Sequence, residues 1–239
     1  MIKKPVKIKV SDKIGDVSGL FYSPGEPKSI TVFAHGAGAG MKAKFMEAVS
    51  LALANRNIAT LRFNFPYIEN GKKIPDPKPV ATAAVAAAVQ KAVKLCPNVP
   101  VFGSGKSFGG RMTSTAASEG MVPELKGIIF FGFPLHAPGK PSNERAEHLY
   151  KVNIPMLFLQ GTRDALANMD LLKPVIKKIG KKAELFIIEG ADHSFHLTKE
   201  YKMKDSEAME IMCDEVNRWM ELICNSSEGL TENRLIREQ

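Results

Sequence analysis

Cysteine is scarce: the chain of 239 residues has three, Cys96, Cys213 and Cys224, with no paired spacing and no CxxC. A disulfide framework is excluded, and the three read as reduced thiols in a reducing compartment. Long apolar runs are missing too. The greasiest stretch, AVAAAV at 84–89, is alanine-rich and far too short to span a bilayer. The opening MIKKPVKIKV carries lysines with no apolar stretch behind them, so no signal peptide is read there and a cytoplasmic location is expected. Internal repeats, low-complexity stretches and an interdomain linker are also lacking. The expectation is one domain over residues 1–224, followed by a polar C-terminal tail, 225–239, that carries no chemistry.

What is present is an ordinary globular composition, 44% hydrophobic and 24% charged. The net charge is +8 and the isoelectric point about 9.3. The lysines come as scattered pairs (72 and 73, 177 and 178, 181 and 182) and not as a stripe. No nucleic-acid-binding pattern accompanies them, so the charge reads as a solvated basic surface with at most a bias toward anionic substrates. Neither a nucleic-acid nor a membrane partner is expected.

Hydrophobic periodicity then orders the chain. VKIKV (6–10) alternates like a half-buried strand, and VSGLFY (17–22) completes an antiparallel hairpin. SITVFAH (29–35) is a continuous apolar run, as in a strand covered on both faces. Strands follow at 58–65, 99–105, 127–133, 155–161 and 183–190, with helices expected at 44–56, around 80–95, at 107–119, 169–179 and 205–223, and a short one at 144–152. Pro174 is expected at a kink or boundary. Alternating strands and helices imply a three-layer α/β/α fold with a mainly parallel sheet of about eight strands.

In such sheets chemistry gathers beyond the carboxyl ends of the strands, and four loops there stand out. GKSFG (105–109) is a G-x-S-x-G between a strand and a helix, the setting of a nucleophile elbow that would expose Ser107 at a helix N-terminus. FGSGKS also resembles part of a phosphate-binding loop, but the first glycine of that motif should stand at position 100, which is Pro100. HGAGAG (35–40) clusters glycines after an early strand, so the amide of Ala37 with that of Phe108 could form an oxyanion hole, while His35 reads as a loop brace. QGTRDALA (160–167) offers Asp164 to orient a histidine, with Arg163 beside it and Asp170 beyond it as the alternatives. EGADHSFHL (189–197) offers His193 as general base, with His196 second and the adjoining Asp192 poorly placed to bond its ring. The order nucleophile, acid, histidine is that of α/β-hydrolases.

HGAGAG, GKSFGGRM, FPLHAPGK, LQGTRDAL and ADHSF together resemble an uncapped group of α/β-hydrolases related to dienelactone hydrolase. Within it, the chain is most similar to the family of testis-expressed-protein-like and NSL-complex-subunit-like sequences. The resemblance runs from about residue 18 to 223 and implies Ser107, Asp164 and His193 as triad, with Ala37 and Phe108 as oxyanion donors. Dienelactone hydrolases use cysteine where this chain has Ser107, so their substrate does not carry over. The expected activity is hydrolysis of ester or thioester bonds of small soluble substrates through an acyl-enzyme, without a large cap domain, metal or organic cofactor. Arg62, Asn64, Arg111 and His136 are expected near the same rim, with Arg62 or Arg111 as holders of an acidic substrate group or as salt-bridge partners. The alternative is a hydrolase fold retained as a binding or scaffold module.

Overall fold

The computed structural model describes residues 1–235, with side chains up to residue 226. Eight strands form one sheet: β1 (Ile2–Ser11), β2 (Gly15–Ser23), β3 (Ser29–Ala34), β4 (Ile58–Phe63), β5 (Val101–Lys106), β6 (Leu125–Phe131), β7 (Met156–Gly161) and β8 (Ala183–Ile188). Their order is β1-β2-β4-β3-β5-β6-β7-β8, and β2 alone runs antiparallel to its neighbours. The helices are α1 (Lys44–Ala54), the single turn α2 (Pro66–Glu69), α3 (Lys78–Leu95), α4 (Phe108–Ser118), α5 (Met169–Ile179) and α6 (Asp205–Leu235). A 3₁₀ segment, Glu144–Lys151, stands where a short helix was expected, and it is the one regular element between β6 and β7. No cap domain is present there.

The central strands are apolar at nearly every position because both faces are covered. On β6 and β7 the residues alternate between two cores. Ile128, Phe130, Met156 and Phe158 pack with α3, α4 and α5; Ile129, Phe131, Leu157 and Leu159 pack with α1 and α6. The three layers follow from this alternation. Among the described residues no helix is long and apolar enough to cross a membrane.

Three local expectations are corrected. The strand at the N-terminus begins at Ile2, four residues before VKIKV, because its outer lysines are carried on an edge. Of the kink or boundary expected at Pro174, the boundary is absent, since helix α5 continues to Ile179; the carbonyl left without an N–H partner is that of Asp170, an exposed residue in the helix's first turn, within reach of water. Helix α6 does not stop near 223 but continues to Leu235, into the stretch read as a tail. Residues 236–239 of that stretch lie outside the described residues.

Trp219 on α6, the only tryptophan, lies against β6 where Gly127 has no side chain: a Cβ there would stand 2.5 Å from the indole Cη2 and 3.2 Å from the Pro155 carbonyl. Gly127→Ala is therefore expected to overpack this contact and destabilise the chain by about 1–3 kcal/mol. The midpoint of urea unfolding, followed through Trp219 emission, measures the loss.

Candidate active site

The turn at Ser107 is set by two close backbone approaches. A Cβ on Gly105 would lie 2.1 Å from the amide nitrogen of Gly110, and one on Gly109 would lie 2.2 Å from the carbonyl oxygen of Ala34. No side chain fits at either position, which is why the motif is G-x-S-x-G. The helix start is thereby pressed onto the ends of β3 and β5, and Ser107 is forced to φ 50°, ψ −114°. Ser107 is half-buried beyond the end of β5, and the Phe108 N–H behind it is the first of α4, without an intrahelical acceptor.

The imidazole of His193 reaches that hydroxyl. Its Nε2 is 2.9 Å from Ser107 Oγ and its Nδ1 is 2.7 Å from Asp164 Oδ2. With Nδ1–H donating to the carboxylate, Nε2 is left to accept from the hydroxyl. The Asp164 side chain is only 1% exposed, against 23% for His193. The carboxylate is fully engaged: Oδ2 also accepts from Gln160 Nε2 at 2.5 Å, and Oδ1 accepts from the Leu166 N–H at 2.8 Å. Gln160, fully buried on β7, accepts the Phe133 N–H through its Oε1 at 2.9 Å and so ties the acid to the end of β6. Sequence reasoning passed over Gln160; its signal was a lone amide at the end of an apolar strand.

The alternatives lie elsewhere. His196 pairs with Asp205 at 2.8 Å on the surface. Asp192 Oδ1 accepts the N–H groups of Ser194 and His196, which shapes the loop around His193. Arg163 donates to the Gly190 carbonyl, and Asp170 lies in the exposed first turn of α5.

The glycine loop after β3 is braced from β4 and α2. His35 donates through Nδ1 to the Gly36 carbonyl and accepts the Phe65 N–H at Nε2; burial lowers its pKa, in keeping with a neutral ring that braces the loop. Gly38 N–H donates to the Tyr67 hydroxyl, and Met41 N–H to Asn64 Oδ1. Ala37 is an exposed residue, and its N–H finds no acceptor among the described residues.

Three residues expected near the substrate are not brought together with Ser107. Arg62, almost fully buried, points to the α1 side of the sheet and donates through Nη1 to the Met41 carbonyl, bracing the same loop from below. Among the described residues Arg111 forms no ion pair, and its side chain lines a separate hollow of about 670 Å³ with Lys78, Glu119 and Arg145. The two ring nitrogens of His136 are spent on the Ala137 carbonyl and the Asn168 N–H, so it supports the acid loop. Among the described residues no three His, Cys, Asp or Glu side chains cluster as metal ligands.

One basic group does sit at the site. Desolvation pulls the Lys106 amine from its ordinary 10.5 down to about 8, against the pull of Asp164 and Asp192.

A family model for the alpha/beta hydrolase domain matches residues 27–221 of this chain. Among solved structures, a dienelactone hydrolase from Anabaena variabilis superposes with a TM-score of 0.74 at 19% identity, covering 92% of this chain and 97% of its own. A lidless α/β serine hydrolase from Xanthomonas campestris gives 0.72 at 18% identity, over 91% and 94%. The esterase domain of a Rhodothermus marinus protein gives 0.67 at 16%, over 91% and 99%. These likenesses are of fold.

Two outcomes are expected. Gln160→Leu leaves the buried Phe133 N–H without its acceptor and is expected to cost about 1–3 kcal/mol, read by thermal unfolding. For Lys106, the unfolded chain holds its proton up to about 10.5 while the folded chain releases it near 8. The unfolded state thus binds more protons across that window, and the penalty of the buried ammonium is relieved as pH rises through it. Relative to Lys106→Met, the wild type is expected to gain roughly 3 kcal/mol at most between those limits, measured by urea midpoints at a series of pH values.

Proposed function

Since the chain belongs to the α/β hydrolase family, we propose that it is a serine hydrolase that cleaves ester or thioester bonds of small substrates through an acyl-enzyme. The observation that carries this reading is one imidazole lying between the hydroxyl of a strained, half-buried serine and a sealed carboxylate, at 2.9 and 2.7 Å.

In this reading Ser107 Oγ attacks the substrate carbonyl carbon while His193 Nε2 takes its proton. Asp164, held by Gln160 and the Leu166 amide, fixes the ring's tautomer and stabilises the imidazolium. The carbonyl oxygen becomes an oxyanion that draws on the N–H groups of Ala37 and Phe108. Collapse of the tetrahedral species breaks the C–O or C–S bond, and the imidazolium proton goes to the departing alkoxide or thiolate. Water, deprotonated by His193, then attacks the acyl-enzyme and restores the serine. The single 3₁₀ segment between β6 and β7 supplies no lid, which suits small soluble substrates over buried lipid chains. A dienelactone hydrolase and named esterases share the fold, and they too suggest carboxylic-ester chemistry.

Labelling with a serine-reactive fluorophosphonate tests the reading. The wild type is expected to label, and Ser107→Ala and His193→Ala are not. Asp164→Asn is expected to slow labelling by up to about 10⁴-fold, because the amide stabilises the wrong tautomer. A folded wild type that never labels would overturn the proposal and leave the fold as a binding module. With labelling in hand, short-chain aryl esters and acyl thioesters separate the two bond types.

A further inference from the structure

Lys106 stands between Gly105 and Ser107 in the G-x-S-x-G turn, and the mechanism above gives it no task. Its side chain leaves the strand end that carries the hydroxyl and ends on the residue that carries the imidazole: Nζ donates to the backbone carbonyl of His193. The path is cleared by missing side chains. A Cβ on Gly36 would lie 3.6 Å from Lys106 Cγ, and one on Gly132 would lie 3.1 Å from Nζ and 3.5 Å from His193 Nδ1. The amine lies 5.2 Å from the ring centre of Phe195 and 5.9 Å from that of Phe45, two rings stacked at 13°.

Among the described residues no carboxylate pairs with this lysine, so its charge is met by one carbonyl and two aromatic faces. Such burial costs stability. A side chain that only filled space would do so better as methionine. The charged and titratable groups around the amine are the Asp164 and Asp192 carboxylates and the His193 ring. His193 itself sits in a loop whose nearby Phe195 adopts φ 63°, a backbone that needs holding.

We propose that Lys106 is a positioning residue that ties the nucleophile turn to the His193 loop and so fixes the separation of Oγ and Nε2. The proposal rests on the reading of Ser107 and His193 as nucleophile and base. A tether between two reacting groups matters because small displacements of either are costly in rate.

The test compares full-length wild type, Lys106→Met and Lys106→Arg with a fluorophosphonate probe. Lys106→Met is expected to label about 10–100-fold more slowly while remaining folded. Lys106→Arg, which keeps a charged donor at all accessible pH values, is expected to recover part of the rate. The wild-type rate should fall through a limb near pH 8 as the amine loses its proton, a limb absent from both variants. Labelling of Lys106→Met within about twofold of wild type, with the same limb, would overturn the proposal. If Lys106→Met fails to fold, Lys106→Arg decides: loss of the limb supports the tether and its persistence sinks it.

If the wild type does not label at all, the enzymatic reading fails on its own, and the tether is judged by proton NMR. The low-field Nδ1 proton of His193, bonded to Asp164, should be sharp in the wild type and lost to exchange in Lys106→Met. An unchanged resonance would refute the positioning role.

Discussion

The site depends on one steric fact: at Gly105 and Gly109 the start of α4 touches the backbone of its own strand and of β3 with no room for a carbon atom. That contact fixes the helix axis over the sheet and leaves Ser107 no relaxed conformation. Everything around it is arranged to meet a hydroxyl whose position is already decided. The strain is local, and the surrounding packing of β3, β5 and β6, buried on both faces, holds it in place.

Support comes from separate directions, each ending on backbone or on a charged oxygen. From the β4 side, Arg62, Asn64 and Tyr67 fasten the glycine loop, so that the Ala37 amide, without an acceptor among the described residues, is presented by a braced segment. From β7, Gln160 fastens the acid. From the acid loop itself, Asn168 caps α5 and its amide is held by His136. The apolar cores on the two sides of the sheet set the distances, and these few polar contacts set the orientations.

Much of this was legible from the chain. Strands with both faces covered announce themselves as apolar runs, and the order Ser107, Asp164, His193 across successive strand ends locates the rim. The helical stretch 225–235 was not legible, because NSSEGLTENRL offers no apolar period. Nor was the fate of Arg62: its neighbours Leu61 and Phe63 show that it faces the other side of the sheet, but nothing local shows that a loop carbonyl waits there. Gln160 and Lys106 were missed for a related reason. Each is a polar residue near the end of its strand, and what it does is decided by a partner distant in sequence, the His193 carbonyl for Lys106 and the Phe133 N–H for Gln160.

The outermost strand carries a consequence of its own. β1 leaves one long side of its backbone unpaired, yet Lys3, Lys4, Lys7 and Lys9 stand along it, three of them bound to Glu47, Asp16 and Asp12. Another polypeptide seeking to extend the sheet there would have to strip water from a row of ammonium groups and break existing ion pairs before gaining a single amide bond, and Pro5 offers it no donor. Hydration, ion pairs and a missing donor together guard this border against strand addition.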